Sequence, residues 1–176
     1  IWDPSMDLGK PSKDIPCNDL IMFKIRDGEL NMTVCCRSND AILGAYGANA
    51  VQFSMIQEFV ARSVGVRVGV YRQISDSFHV YSSQPQWLRM CEAEISGDIY
   101  EIHGIEAFPI MKAFPPNTDY HLEWLRQLRW FMGRASRVVP YKSQIGADID
   151  AFFTNVAMPI RDAWDIYKED QEASKN

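Results

Sequence analysis

Hydrophobic and polar positions alternate along two short runs near the start of the chain. Over residues 20–26, Ile21, Phe23 and Ile25 share one face while Leu20 and Met22 take the other, so this strand is expected to be covered on both sides. Over residues 29–36, Leu30, Met32, Val34 and Cys36 face inward, and Glu29, Asn31 and Thr33 look outward. Asp27-Gly28 between the runs is a strong hairpin signal. A two-residue turn there pairs Arg26 with Glu29 and, extended outward, sets Cys17 opposite Ser38 and beside Arg37. From about residue 48 to 63 the period becomes helical. Val51, Met55, Ile56, Phe59 and Val60 form the expected core stripe, Gln52, Gln57 and Glu58 lie outside it, and Gly65 is the stop signal. Residues 66–81 read as extended chain, with Gly69 marking a bulge or a close backbone approach.

The flanking regions are less regular. Pro4, Gly9, Pro11 and Pro16 make residues 1–19 read mostly as loop. A short helix is expected over 85–93, a strand pair over 95–105 around Gly97-Asp98, and a loop at Pro109, Pro115 and Pro116. Two helices follow. One spans 121–134, with Leu122, Leu125, Leu128 and Phe131 or Met132 as its stripe. The other spans 148–170, is kinked by Pro159, and carries Phe152, Val156, Ile160, Trp164 and Tyr167. Residues 168–176 are polar and are expected to fray.

Composition narrows the function classes. With 176 residues, 47% of them apolar, the chain can bury the core of one domain, here expected over residues 1–176. A net charge of −5 without a basic stripe argues against nucleic acid. No apolar run approaches the ~20 residues of a membrane span, and no signal peptide is visible. Cys17, Cys35, Cys36 and Cys91 lack C-x-x-C spacing, which suits reduced thiols in a cytoplasmic setting.

Candidate chemistry gathers in residues 35–49, where an arginine, a serine, an acid, two glycines and an amide separate a strand from a helix. Such residues suit a phosphate and a polar ring better than a core. Taken singly, each has a plainer reading. A lone cysteine is more often a structural thiol, Asp40 would cap the turn after the strand, and Asn49 would cap the helix. His79 and Tyr81 alternate on one strand and so share a face, although a histidine among aromatics is commonly a core residue. His103 and His121 have no partner at ligand spacing, so no metal site is expected.

The ordered set is more specific than its parts. Pro16-Cys17, Arg37-Ser38-Asn39-Asp40, Gly44, Asn49 and His79-Val80-Tyr81 follow one another in a series that resembles the active site of thymidylate synthases and their relatives, the pyrimidine nucleotide hydroxymethylases. The resemblance covers about residues 15–81. It implies an α+β layered fold, a bent mixed sheet covered by helices whose other face pairs in a homodimer, with a helical extension over about 120–170. It also implies one-carbon transfer from 5,10-methylenetetrahydrofolate to carbon 5 of a pyrimidine nucleoside monophosphate. In that scheme the Cys17 thiolate adds to carbon 6, favoured by the Arg37 cation beside it, and Asp40 lies near the folate and orders water. Arg37 and Ser38 bind the phosphate, Asn49 reads the base, and His79 and Tyr81 bind the sugar. Asn49 suits uracil, where an aspartate would suit cytosine, but a longer loop before Asn49 re-aims it, so the expected substrate is dUMP or dCMP. The spacing from Arg37 to Asn49 is one residue longer than in ordinary thymidylate synthases, with Gly47-Ala48 in place of proline and an aromatic residue. That loop, and the polar Ala173-Ser174-Lys175-Asn176 in place of an apolar lid, favour a hydroxymethylated product over a methylated one. The resemblance also predicts that the chain is the C-terminal portion of a longer one, whose further catalytic glutamate and arginines precede Ile1. A non-catalytic nucleotide-binding relative is the alternative, and Cys17 argues against it.

Overall fold

Asp27 and Gly28 both adopt positive φ, 51° and 75°, as a two-residue hairpin turn requires. They join β1 (Asn18–Arg26) to β2 (Glu29–Asp40) in antiparallel pairing. The predicted register holds from Arg26↔Glu29 to Leu20↔Cys35. Then one residue bulges on β1, so that Asn18 pairs with Cys36. The Cys17 carbonyl accepts from the Arg37 N–H at 3.0 Å. Cys17 therefore stands opposite Arg37 and not Ser38, a shift of one position caused by the bulge.

β3 (Arg67–His79) runs parallel to β2, giving a mixed sheet of order β1-β2-β3. A parallel neighbour needs a crossover. It is supplied by a π-helical turn, Ala41–Ala48, and by a helix, Asn49–Ser63, which packs on the sheet. That helix ends in the paired bonds of a Schellman cap, Val66 N–H to Ala61 O and Gly65 N–H to Arg62 O, with Gly65 at φ +74°. The result is the α+β arrangement expected from the sequence. The computed structural model describes residues 3–9, 11, 15–83, 85–93, 97, 109–111, 119–133 and 151–173. The chain divides into two compact units, Ile1–Ala107 and Phe108–Asn176.

In the first unit, Met32, Val34, Cys36 and Phe53 form the core, with Ile21 and Tyr71 packed against it. The helix after the π turn does not bury the predicted stripe. Its inner line is Phe53, Gln57 and Ala61, while Val51 and Ile56 are exposed. The reason is a bulge at Gly69. Leu30 pairs with Val68 and Met32 with Tyr71, so Gly69 and Val70 together oppose Asn31. Ladder bonds are lost there, and side chains replace them. Asn31 Oδ1 accepts from the Val70 N–H at 2.8 Å, and Gln57 Nε2 donates to Leu30 O and Gly69 O at 2.8 and 3.1 Å. Gln57 is drawn inside because two buried carbonyls need a donor. A Cβ on Gly69 would lie 2.9 Å from Asn31 Oδ1 and 3.0 Å from Leu30 O, so both readings of that glycine hold.

Three further expectations change in this unit. Pro4 opens a helical turn, α1 (Pro4–Asp7), rather than breaking one, because the first helical position needs no N–H and Asp3 Oδ1 accepts from Ser5 N–H. β1 is not covered on both faces: Leu20, Met22, Phe23 and Ile25 are all exposed. The crossover helix, α2 (Asn49–Ser63), begins at Asn49 without a side-chain cap. A short helix, α3 (Pro85–Glu92), forms as predicted.

The second unit contains α4 (Tyr120–Gly133) and α5 (Met158–Ala173). Trp124 and Gln127 form the buried line of α4, while Leu122 and Met132, placed in the predicted stripe, are exposed. Trp124 packs against both Phe152 and Phe153 and donates from Nε1 to Ile110 O at 3.1 Å. Immediately before Pro159 the helix widens into a π-helical segment, Phe153–Ala157, which relieves the clash of the proline ring with the preceding turn. Beyond it Ile160, Trp164 and Tyr167 are exposed, and the helix continues to Ala173. The strand pair expected over 95–105, Pro115, Pro116 and residues 148–150 lie outside the described residues, apart from Gly97.

Candidate active site

The parallel strands β2 and β3 end side by side, with Asp40 paired to His79. β1 is antiparallel and begins at the same end of the sheet. Cys17, Arg37, Ser38, Asp40 and His79 therefore lie at one end of the sheet, although they span more than sixty positions of sequence.

The Arg37 guanidinium reaches back over the segment that carries Cys17. Its Nε donates to Pro16 O at 3.2 Å, its Nη2 donates to Ile15 O at 3.1 Å, and the same nitrogen lies 3.9 Å from Cys17 Sγ. The backbone bond between Cys17 and Arg37 locks the pair from the other side. Arg37 is exposed and Cys17 half-buried, an arrangement open to a ligand. Cys36 contrasts with Cys17. It is buried, its thiol lies 3.1 Å from Asn18 Oδ1, and burial, reinforced by Asp19 and the neighbouring cysteines, pushes its pKa up. A thiol held protonated is inert, so only Cys17 of this pair suits a nucleophile.

Asp40 caps the π-helical turn. Its Oδ1 accepts from the N–H groups of Ile42 and Leu43 at 2.9 and 2.6 Å, as the cap reading required. Its Oδ2 is buried and has no partner among the described residues. Asn49 does not cap α2. Its own φ and ψ are helical, its N–H donates to Gly44 O, and its side-chain Nδ2 donates to Asn39 Oδ1 at 3.0 Å. His79 and Tyr81 meet edge to face with ring centroids 5.0 Å apart, and His79 Nδ1 lies 3.4 Å from Ser77 Oγ.

Three polar residues of the site were not singled out from the sequence. Asn39, fully buried, donates from Nδ2 to Gln73 Oε1 and Ser75 Oγ at 3.0 and 2.9 Å, and Gln73 Nε2 donates to Ala45 O at 2.8 Å. Gln73 and Ser75 alternate on β3, a polar pair on the helix-covered face, and that is the sequence signal. Beside them opens a cleft of about 290 Å³ lined by Ala45, Tyr46, Gln73, Ser75 and Phe78. The Tyr71 hydroxyl donates to Asn49 O at 3.4 Å. Burial, with the nearby Cys36, pushes its pKa up to about 12, against a smaller opposing effect of Gln73, so it stays neutral.

Residues 1–101 match the profile of the family described as thymidylate synthase. The chain belongs to the thymidylate synthase family. It is 38% identical, over 99% of its length, to a deoxyuridylate hydroxymethyltransferase of Pseudomonas phage M6. It is also 38% identical, over 72% of its length, to the deoxyuridylate hydroxymethyltransferase of Bacillus phage SP01. The chain spans 48% of the first relative and 34% of the second.

The longer spacing expected between Arg37 and Asn49 is taken up by the turn. A π-helical turn bonds residue i to i+5 and so holds one residue more than an α turn. Here the bond is Asn49 N–H to Gly44 O. The two glycines permit the tight path, since a Cβ on Gly44 would lie 2.5 Å from Asn39 Oδ1 and one on Gly47 would lie 2.6 Å from Ile42 O. Asn49 thus stays hydrogen-bonded to Asn39, beside Asp40, despite the longer loop. The residues present fit the folate that the resemblance implies: Asp40 Oδ2 is an acceptor without a partner among the described residues, suited to a ring N–H.

Proposed function

We propose that the protein transfers a one-carbon unit to carbon 5 of deoxyuridylate and releases a 5-hydroxymethyl nucleotide. The observation that carries this reading is the pairing of Cys17 with Arg37, thiol and guanidinium 3.9 Å apart at an open end of the sheet. A pyrimidine carbon 5 is a poor nucleophile until a thiolate adds to carbon 6. In the proposed scheme the Cys17 sulfur bonds carbon 6, and the electron pair of the ring double bond makes carbon 5 the attacking centre. After the new carbon–carbon bond forms, carbon 5 loses its proton as the bond from the transferred carbon to the carrier nitrogen breaks, releasing tetrahydrofolate and leaving an exocyclic methylene with Cys17 still on carbon 6. Water then adds to that methylene and gives up a proton, while the Cys17 sulfur leaves carbon 6 and the ring double bond returns. The one-carbon unit is supplied by 5,10-methylenetetrahydrofolate when that cofactor is bound. Asp40 would accept a hydrogen bond from its ring through Oδ2 and fix it against the turn.

The remaining residues bind and orient the nucleotide. Arg37 Nη1 has no partner among the described residues, and with the Ser38 hydroxyl it would hold the phosphate. Asn49 would read the base, and His79 and Tyr81 the sugar. The two phage relatives named deoxyuridylate hydroxymethyltransferases support both the uracil base and the water route. We further propose a homodimer. Leu20, Cys35 and Ile74 make one row across the uncovered face of the sheet and Met22, Thr33 and Arg72 the next, with Leu20 and Ile74 about half exposed. Four free cysteines support a reducing, cytoplasmic setting. No helix among the described residues is long and apolar enough to cross a membrane.

The mechanism can be trapped. 5-Fluorodeoxyuridylate with the folate should stop after carbon–carbon bond formation, since fluorine cannot leave as a proton. Peptide mapping should then find the nucleotide on Cys17. Label on another cysteine, or on none, would remove Cys17 from the mechanism.

A further inference from the structure

The polar relay behind Asn49 has a direction. Ala45 O is a backbone carbonyl and has no proton to give, so Gln73 must turn its Nε2 toward it, at 2.8 Å. That leaves Gln73 Oε1 facing Asn39, which must therefore present Nδ2, at 3.0 Å. The same Nδ2 also donates to Ser75 Oγ. Asn39 is then left with Oδ1 toward Asn49, so Asn49 must donate, at 3.0 Å. No group in the chain can reverse without setting two acceptors, or two donors, against each other. The relay is buried at Asn39, which is 2% exposed, where a mismatch is costly. Gly44 lets Asn39 sit there, because any side chain at Gly44 would strike Asn39 Oδ1.

A primary amide can read either pyrimidine. Uracil offers a donor at N3 and an acceptor at O4, and cytosine offers an acceptor at N3 and a donor at N4. An asparagine free to turn over about its terminal bond would satisfy both in turn. We infer that Asn39 is a positioning residue that fixes which way round the Asn49 amide lies, and that it thereby makes the site select a uracil nucleotide over a cytosine nucleotide. Asn49 Oδ1, without a partner among the described residues, is the acceptor for the ring N3–H, and its second Nδ2 hydrogen serves O4. The inference rests on the proposed pyrimidine nucleotide site.

The test compares binding of deoxyuridylate and deoxycytidylate by calorimetry in the protein and three variants. The parent should prefer deoxyuridylate. Asn39→Ala should cut that preference by about tenfold or more, because an amide free to turn accepts the other base. Asn39→Asp should keep more of it than Asn39→Ala, since a carboxylate still forces Asn49 to donate, although at a cost in stability because its other oxygen meets the acceptor Gln73 Oε1. Gln73→Leu does not touch Asn49 in this relay but unpins Asn39, so it should weaken the preference as well, which keeps the test open if Asn39→Ala does not fold. A merely structural Asn39 would lower both affinities together and leave their ratio alone. That outcome, or a parent that prefers deoxycytidylate, overturns the inference while leaving the nucleotide site standing. A parent that binds neither nucleotide overturns the site and the inference together.

Discussion

Cys17 and Cys36 lie at the same end of the sheet, and their surroundings divide the work between them. Cys17 has the Arg37 guanidinium within 3.9 Å, whereas Cys36 is buried with its pKa raised. Cys17→Ser is predicted to abolish turnover and leave nucleotide affinity nearly intact, because an alcohol is a far weaker nucleophile at neutral pH. Cys36→Ser should retain most turnover. Steady-state rates beside nucleotide titrations separate the two, and a Cys17→Ser protein with near-parental rates would contradict the assignment. The meeting of Cys17 with Arg37 and the cap formed by Asp40 were legible because spacing and residue types there are distinctive. Asn39 was quoted within its motif yet its task was not legible, since its partners Gln73 and Ser75 lie 34 and 36 positions away and only the parallel pairing of β2 and β3 brings them close. The plainer reading of Asn49 as a helix cap fails because its amide has a stronger claim on it in Asn39.

Strands and turns were read well where the local signal was complete. Asp27-Gly28 set the hairpin, and the register failed only at the bulge near Asn18, which no local pattern announces. Helix faces were read less well. The stripe assigned to α2 took the wrong face, leaving out Phe53 and Ala61 as well as Gln57, the residue that answers the carbonyls of Leu30 and Gly69. An amide buried to repair a bulge is invisible until the bulge is known. Gln57→Leu is therefore predicted to destabilise the protein by about 2–4 kcal/mol, despite adding an apolar residue to the core, because two buried carbonyls lose their donor. Chemical denaturation measures this directly. A variant as stable as the parent would show that water or the backbone satisfies those groups instead.

For the molecule as a whole, the chain carries the residues proposed to hold the nucleotide while spanning about half the length of its phage relative. Its sheet has one face against α2 and another on which Leu20 and Ile74 stand open. If that face joins two copies, Leu20→Glu with Ile74→Glu should convert the dimer to monomers in sedimentation velocity, since burying those charges without partners is costly. A dimer that survives both changes would put the interface elsewhere. The central claim is that this site adds one carbon, with an oxygen, to carbon 5 of deoxyuridylate. The most direct measurement is mass spectrometry of the nucleotide after incubation of the protein with deoxyuridylate and 5,10-methylenetetrahydrofolate. The account predicts 5-hydroxymethyldeoxyuridylate and no rise in dihydrofolate absorbance. A methylated nucleotide with stoichiometric dihydrofolate, or an unchanged one, would contradict it.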